Sequence, residues 1–215
     1  MNDSGRFSLR DLDDRQLDAV RSVFEEAFPP WQREAFDDLV ARERTGHAAT
    51  VILVDSGRPL ALAVTSCLAS VRWSYLEYFA VDVDQRSRGV GGQLWRAMGR
   101  DLVARAQPGR LVLEVDDPAG AAEDPAERQI RERRIRFYQR QGAQFLPTRD
   151  YNVPHLDSAD DSEPMLLLWA AMADDAQPPG PGELSTLLPA VYAAGYELPA
   201  DHALVLAALR ASSAG

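Results

Sequence analysis

Lysine is missing from this chain: all 23 basic side chains are arginine. That excludes lysine-based catalysis and any P-loop, which needs Gly-Lys-Ser/Thr. Cysteine is almost as scarce. Cys67 stands alone, so no internal disulfide can form, and a reducing cytoplasm fits. The histidines His47, His155 and His202 stand far apart without ligand spacing, and no metal is expected. Long apolar runs are also lacking. The strongest, Met165 to Ala173, is far too short to span a bilayer, and the opening MNDSGRFSLRDLDD has no apolar core of a secretory signal. No membrane partner is expected. Positive charge is in deficit too, with a formal net charge of −10 and a pI of about 4.8. Nucleic-acid binding relies on counterion release by basic groups, so that partner is not expected. The acidity weakly favours cationic substrates, although its commoner role is solubility.

What is present is the composition of an ordinary globular protein: 215 residues, 46% hydrophobic and 26% charged. Such a chain has room for one well-buried domain and a short appendage. Periodicity and breakers predict a strand near Phe7-Leu9, a helix near Asp13-Phe28 stopped by Pro29-Pro30, and a helix from Gln32 to Thr45 stopped by Gly46. A hairpin follows, Val51-Val54 and Leu60-Ala69, around the turn Asp55-Ser56-Gly57-Arg58-Pro59. Trp73-Asp82 reads as an aromatic and β-branched strand, Gly91-Ala106 as a helix and Leu111-Val115 as a buried strand. A polar connection, Asp116 to Asp124, leads to a helix that Asp124 caps, with Pro125 in its first turn, Glu127 at capping-box spacing and Gly142 as its stop. Two strands, about Ala143-Val153 and Met165-Met172, flank an acidic loop, Asp157 to Glu163.

The composition changes at Asp174. The expected division is a main domain over 1–173, a Pro/Gly linker over 174–182 and a helical extension over 183–215. Leu184, Leu187, Leu188 and Val191 stripe one helix of the extension, and Leu204, Val205 and Leu209 the other. Neither can bury its stripe alone, so both are expected to dock on the main domain or on a second subunit, which leaves a homodimer open.

A strand, a glycine-rich loop and a helix in that order form a phosphate-binding arrangement, because free backbone N–H groups and the helix dipole meet an anion there. Here the loop is Arg86-Ser87-Arg88-Gly89-Val90-Gly91-Gly92. A dinucleotide fold wants G-x-G-x-x-G, and the last glycine is absent. Arg86, Gly89 and Gly91 instead match Gln/Arg-x-x-Gly-x-Gly/Ala, with Phe79-Ala80-Val81-Asp82 before and Leu94 after. In these residues, and in the order of elements over 6–173, the chain resembles the GNAT superfamily of acyl-CoA-dependent N-acyltransferases.

That resemblance implies an α+β fold, a mixed and mainly antiparallel sheet flanked by helices on both faces. It implies acetyl-CoA as co-substrate and an amine, small molecule or peptide, as acceptor. Backbone groups of Arg88, Gly89, Val90, Gly91 and Gly92 would hold the pyrophosphate. The stretch Val81, Asp82 and Val83 would border the pantetheine arm, with Val81 and Val83 bonding it as an added strand. Phe137-Tyr138-Gln139-Arg140-Gln141-Gly142 resembles the family's helix end, in which the hydroxyl of Tyr138 points at the coenzyme sulfur and protonates the leaving thiolate. Glu77 on the strand before the loop is the expected base, and Glu114 a second candidate. The chain has Arg131 where the family often has Asn, Ala143 in place of Phe, and a longer connection at Asp116-Asp124. The expected reaction is direct attack by the amine in a ternary complex. A non-catalytic acetyl-CoA-binding module that regulates a partner through the C-terminal helices is the alternative, and a longer acyl-CoA is a variant of the main reading.

Overall fold

A computed structural model describes residues 5–180 and 182–213; Pro181 of the expected linker lies outside them. The chain divides into two compact units, Met1–Cys67 with Leu76–Gln107, and Leu68–Tyr75 with Pro108–Gly215. Strand Ala49–Asp55 pairs antiparallel with Gly5–Phe7 and Arg58–Leu68, and strand Ser158–Ala171 antiparallel with Arg110–Asp116, Gln144–Phe145 and Asn152–His155. Six α-helices accompany them among the described residues, so the α+β class holds.

In the first unit, β1 (Gly5–Phe7) pairs with β2 (Ala49–Asp55), which pairs in turn with β3 (Arg58–Leu68). The β2–β3 turn is tighter than the expected five residues. Ser56 and Gly57 close it alone, at φ 51° and 78°, the left-handed pair that a two-residue hairpin demands. Leu9–Asp11, expected partly as strand, is a 3-10 turn. Helix α1 (Asp14–Ala27) starts at an Asp13 cap that accepts from the Gln16 N–H, and its stripe of Val20, Val23 and Phe24 is buried. Helix α2 (Phe36–Thr45) begins four residues later than expected, because Pro30–Gln32 forms a separate 3-10 turn; Gly46 ends it at φ 82°. This places Glu34 outside the helix. Phe24, Phe36, Leu39, Ile52 and Leu62 form the core with Tyr78 of β4 (Trp73–Val81). The ring of Phe24 meets that of Tyr78 edge-on at 4.8 Å, a geometry worth about 0.5–1.5 kcal/mol beyond area burial. Helix α3 (Val90–Ala104) buries Leu94, Ala97, Met98 and Leu102.

In the second unit, β5 (Arg110–Asp116) pairs with the inner half of β8 (Ser158–Ala171) in the register Leu113↔Leu168. The two-residue β6 (Gln144–Phe145) and β7 (Asn152–His155) also lie on β8. The expected long strand over 143–153 is cut short where Pro147 removes a ladder donor and Asp150 turns left-handed at φ 50°. The expected acidic loop is a strand as well. Asn152–Pro154 pairs with Ser162–Pro164, and pairing with a preformed neighbour overrides the poor strand propensity of Asp and Ser. Helix α4 (Pro125–Arg140) is capped by Asp124, which accepts from the Ala126 and Glu127 N–H groups. Glu127 reaches forward to Arg131 at 3.1 Å.

Helices α5 (Leu184–Tyr196) and α6 (Ala203–Ser213) pack into this unit's own core. Leu187, Leu188, Val191, Tyr192, Val205 and Ala208 are all 0% exposed, against Trp73, Tyr75, Val112, Tyr151, Leu167 and Trp169. Arg110 ties down the entry to α5: it donates to Glu183 at 2.7 Å and stacks 4.0 Å over the Trp73 ring. Tyr192 donates to the Asn152 carbonyl at 2.8 Å. Gly195 is required for close approach, since a Cβ there would stand 2.8 Å from the Tyr75 hydroxyl.

Candidate active site

The glycine-rich loop and Glu77 lie in the first unit, Glu114 and Tyr138 in the second. The loop leaves β4 through a 3-10 turn, Val83–Gln85, capped by Asp82. Asp82 itself is buried and fully committed. Its N–H donates to the Leu60 carbonyl at 2.9 Å, and its carboxylate accepts from Arg58 at 2.6 Å and from the Asp84 N–H at 2.9 Å. It therefore shapes the start of the loop. Val81 is half-buried and Val83 exposed. Arg86 folds back on the strand it left, donating from Nε to the Val81 carbonyl at 3.1 Å, with Glu26 at 3.8 Å.

Ser87, Arg88 and Gly89 are exposed, whereas Val90 anchors the helix from inside. Ser87 and Gly89 both take positive φ, 64° and 83°, and Gly89 is the N-cap of α3 with no side-chain cap bond. The first-turn N–H groups of α3 are thus not taken by an N-cap side chain. A Cβ built on Gly89 would meet nothing within 4 Å. Open backbone donors, a positive helix end and the guanidinium of Arg88 on the same loop suit a pyrophosphate, so these residues fit coenzyme A.

Glu77 is an ion-paired carboxylate, only 7% exposed at its side chain, with Oε1 at 2.8 Å from Nη2 of Arg42. The same guanidinium holds Glu34 through Nη1 at 2.6 Å. Sequence reasoning missed both partners. Glu34 and Arg42 precede Glu77 by dozens of residues, and no local spacing links them.

In the second unit, Tyr138 is buried near the end of α4, where Gly142 at φ 90° stops the helix and the Ala143 N–H closes on the Tyr138 carbonyl at 3.0 Å. Burial pushes its phenol up to about 12; the Arg134 charge opposes this and Asp116 adds to it. The hydroxyl is therefore protonated at neutral pH and is a donor. Asp116 is itself paired with Arg134. Arg131, the residue that departs from the family pattern, spends its guanidinium on Glu127, the Asp117 carbonyl at 2.9 Å and Glu163 at 2.8 Å. It fastens the long connection to α4 and β8. Gly120 lies against it, with a would-be Cβ only 3.1 Å from Nη1.

Glu114 is half-buried. It accepts from the hydroxyls of Tyr75 at 2.5 Å and Tyr196 at 2.9 Å, and from that of Tyr151. Burial pushes its carboxyl above the ordinary value, and the three phenol bonds pull it back only in part. An acid raised in the folded state binds more protons folded than unfolded between the two values. Its contribution to stability is therefore complete below the ordinary carboxyl value and lost as pH rises through the raised one. Glu114→Gln abolishes this titration. The melting temperature of the wild type relative to Glu114→Gln should fall as pH rises through that window. A difference that stays constant with pH would contradict the arrangement.

Comparison with known proteins gives the class. Residues 17–143, more than half of the chain, match the sequence profile of the acetyltransferase (GNAT) family, and the chain belongs to that family. Solved structures agree at the level of fold. A protein described as a GNAT-family acetyltransferase from Bacteroides thetaiotaomicron superposes with a TM-score of 0.67 at 21% identity, over 91% of this chain and 98% of that one. The ribosomal-protein-S18-alanine N-acetyltransferase of Escherichia coli gives 0.55 at 20% identity, over 84% and 99%. An aminoglycoside 6'-N-acetyltransferase complexed with coenzyme A gives 0.60 at 12%, over 80% and 99%. No functionally curated protein matches the sequence. Among the described residues, no helix is long and apolar enough to cross a membrane.

Proposed function

We propose that this GNAT-family protein is a cytoplasmic N-acetyltransferase that moves the acetyl group of acetyl-CoA onto an amine by direct attack in a ternary complex. The observation that carries this reading is the open N-terminus of α3, led by Gly89 at positive φ. Backbone of Arg88 through Gly92 holds the pyrophosphate, and Val81 and Val83 bond the pantetheine arm. When bound, acetyl-CoA supplies the acetyl group as an activated thioester. Glu77 takes a proton from the acceptor nitrogen, a backbone N–H near Val81 stabilises the oxyanion, and Tyr138 gives its phenolic proton to the departing sulfur. A phenol held near 12 keeps that proton at working pH. Among the similar structures are an aminoglycoside 6'-N-acetyltransferase and a ribosomal-protein-S18-alanine N-acetyltransferase, and an acceptor nitrogen is in keeping with both.

A purely regulatory module would need the C-terminal leucine stripe for a partner. Leu187, Leu188 and Val191 are spent inside the second unit instead.

Acetyl-CoA should raise the melting temperature by mass action, by about 2.7 kcal/mol of stability at a hundredfold excess over Kd. Gly89→Leu forces a side chain into left-handed backbone, at a cost of about 1–2 kcal/mol, and crowds the anion. The shift should vanish in a Gly89→Leu protein that is still folded. An undiminished shift would place the coenzyme elsewhere.

A further inference from the structure

Arg42 carries two carboxylates at once. From α2 it donates through Nη1 to Glu34 at 2.6 Å and through Nη2 to Glu77 at 2.8 Å. The three side chains are 32%, 18% and 7% exposed, so Glu34 is the more accessible acid and Glu77 the buried one. The frame is held from both sides. The N–H of Glu34 donates to the Tyr78 hydroxyl at 3.1 Å, and Tyr78 adjoins Glu77 on β4 while packing against Phe24 and Phe28. Two negative charges share one positive charge, which leaves the group one proton short of neutrality.

The neighbours of Glu34 are Arg42 and Asp38 from α2, and Glu77 and Tyr78 from β4. Burial pushes the Glu34 carboxyl above its ordinary value, Arg42 pulls it back, and the Glu77 and Asp38 charges push it further. Burial of Arg42 opposes its charge, but the two carboxylates more than compensate, and it stays a cation. Tyr78 is pushed up by burial and stays neutral.

We infer that Arg42 is the positioning residue for the base of the proposed reaction, and that Glu34 and Glu77 accept the acceptor's proton as a linked pair on it. This rests on the reading of Glu77 given above. A bound ammonium gives up two protons in becoming an amide. One N–H proton passes to the carboxylate pair and leaves to water through the more exposed Glu34. As the N–C bond forms and the C–S bond breaks, the second N–H proton passes to water, Tyr138 protonates the departing sulfur, and the phenolate regains a proton from water, so that one proton is released net. Because Glu34 and Glu77 share the one guanidinium of Arg42, removing either the cation or the Glu34 charge should move the acid limb of the rate profile.

The test is the pH profile of kcat in wild type, Arg42→Gln, Arg42→Lys and Glu34→Gln, each first checked for cooperative melting and for the acetyl-CoA thermal shift. The acceptors are a panel of a diamine, an aminoglycoside and a peptide with a free α-amine. Removing the cation should move the acid limb up by about one pH unit or more, since a close opposite charge shifts a carboxyl by about 1–3 units. Glu34→Gln removes a like charge and should move the limb down, and Arg42→Lys should stay nearer the wild type. If Arg42→Gln fails to fold, Glu34→Gln and Arg42→Lys carry the test. Unmoved limbs in folded, coenzyme-binding variants would overturn the inference and leave acetyl transfer standing. Absence of turnover on the whole panel would overturn the proposed function instead. The pair itself would then be read by NMR titration of ¹³C-labelled glutamate carboxyls. Two independent midpoints, unmoved by Arg42→Gln or Glu34→Gln, would refute it.

Discussion

Tyr138→Phe should lower kcat by roughly 10²–10⁴-fold, the usual contribution of a positioned general acid. The ring packs at the end of α4, with the Phe137 ring centroid 5.2 Å away, and phenylalanine retains that packing. Stability and coenzyme affinity should therefore hardly change. The thiolate would leave without its proton donor, while proximity and the oxyanion donor would sustain a residual rate. Loss in kcat and in kcat/KM together, at constant KM, marks an interaction made only in the transition state. Stopped-flow thiol release under single-turnover conditions measures it at the chemical step. Full activity there would remove Tyr138 from the mechanism and leave the fold untouched.

Truncation after Ala173 should abolish a folded second unit. Leu187, Leu188 and Val191 are each 0% exposed, and burying one such side chain contributes about 1.5–3 kcal/mol. These three together amount to roughly 5–9 kcal/mol, comparable to the roughly 5–15 kcal/mol that holds a whole domain together. The cut would also open Trp73, Tyr75, Tyr151 and Trp169 to water and strip one of the three phenol donors from the half-buried Glu114. Circular dichroism and light scattering on the 1–173 fragment should show lost cooperativity or aggregation. A soluble fragment with the melting temperature of the full chain would refute the account of α5 and α6.

Local chemistry made part of this structure readable. The aromatic strand that became β4, the punctuation of Gly89 through Gly92 and the Asp124 cap of α4 all announce themselves within a few residues. What could not be read is carried by distant partners. The acidic half of β8 is a strand only because β7 pairs with it, and its own composition argues for a loop. Glu114 reads in the sequence as a second candidate base. Its hydroxyl donors come from positions 75, 151 and 196, and no period connects them. Asp82 sits in the motif stretch, yet it answers to Arg58, 24 residues earlier. Glu77 was found on its strand, but the Arg42 that holds it lies on a helix in another part of the chain. Side chains that meet across elements leave no trace in one-dimensional spacing, which is why the loop was legible and the charge network was not.

The central claim is catalytic transfer of acetyl to nitrogen, and thiol release from acetyl-CoA across an amine panel, with the products identified by mass spectrometry, tests it most directly. The account predicts release that depends on the amine, matches N-acetylated product one to one, and collapses in Tyr138→Phe. Tight acetyl-CoA binding with no amine-dependent thiol release and no acetylated product would contradict it.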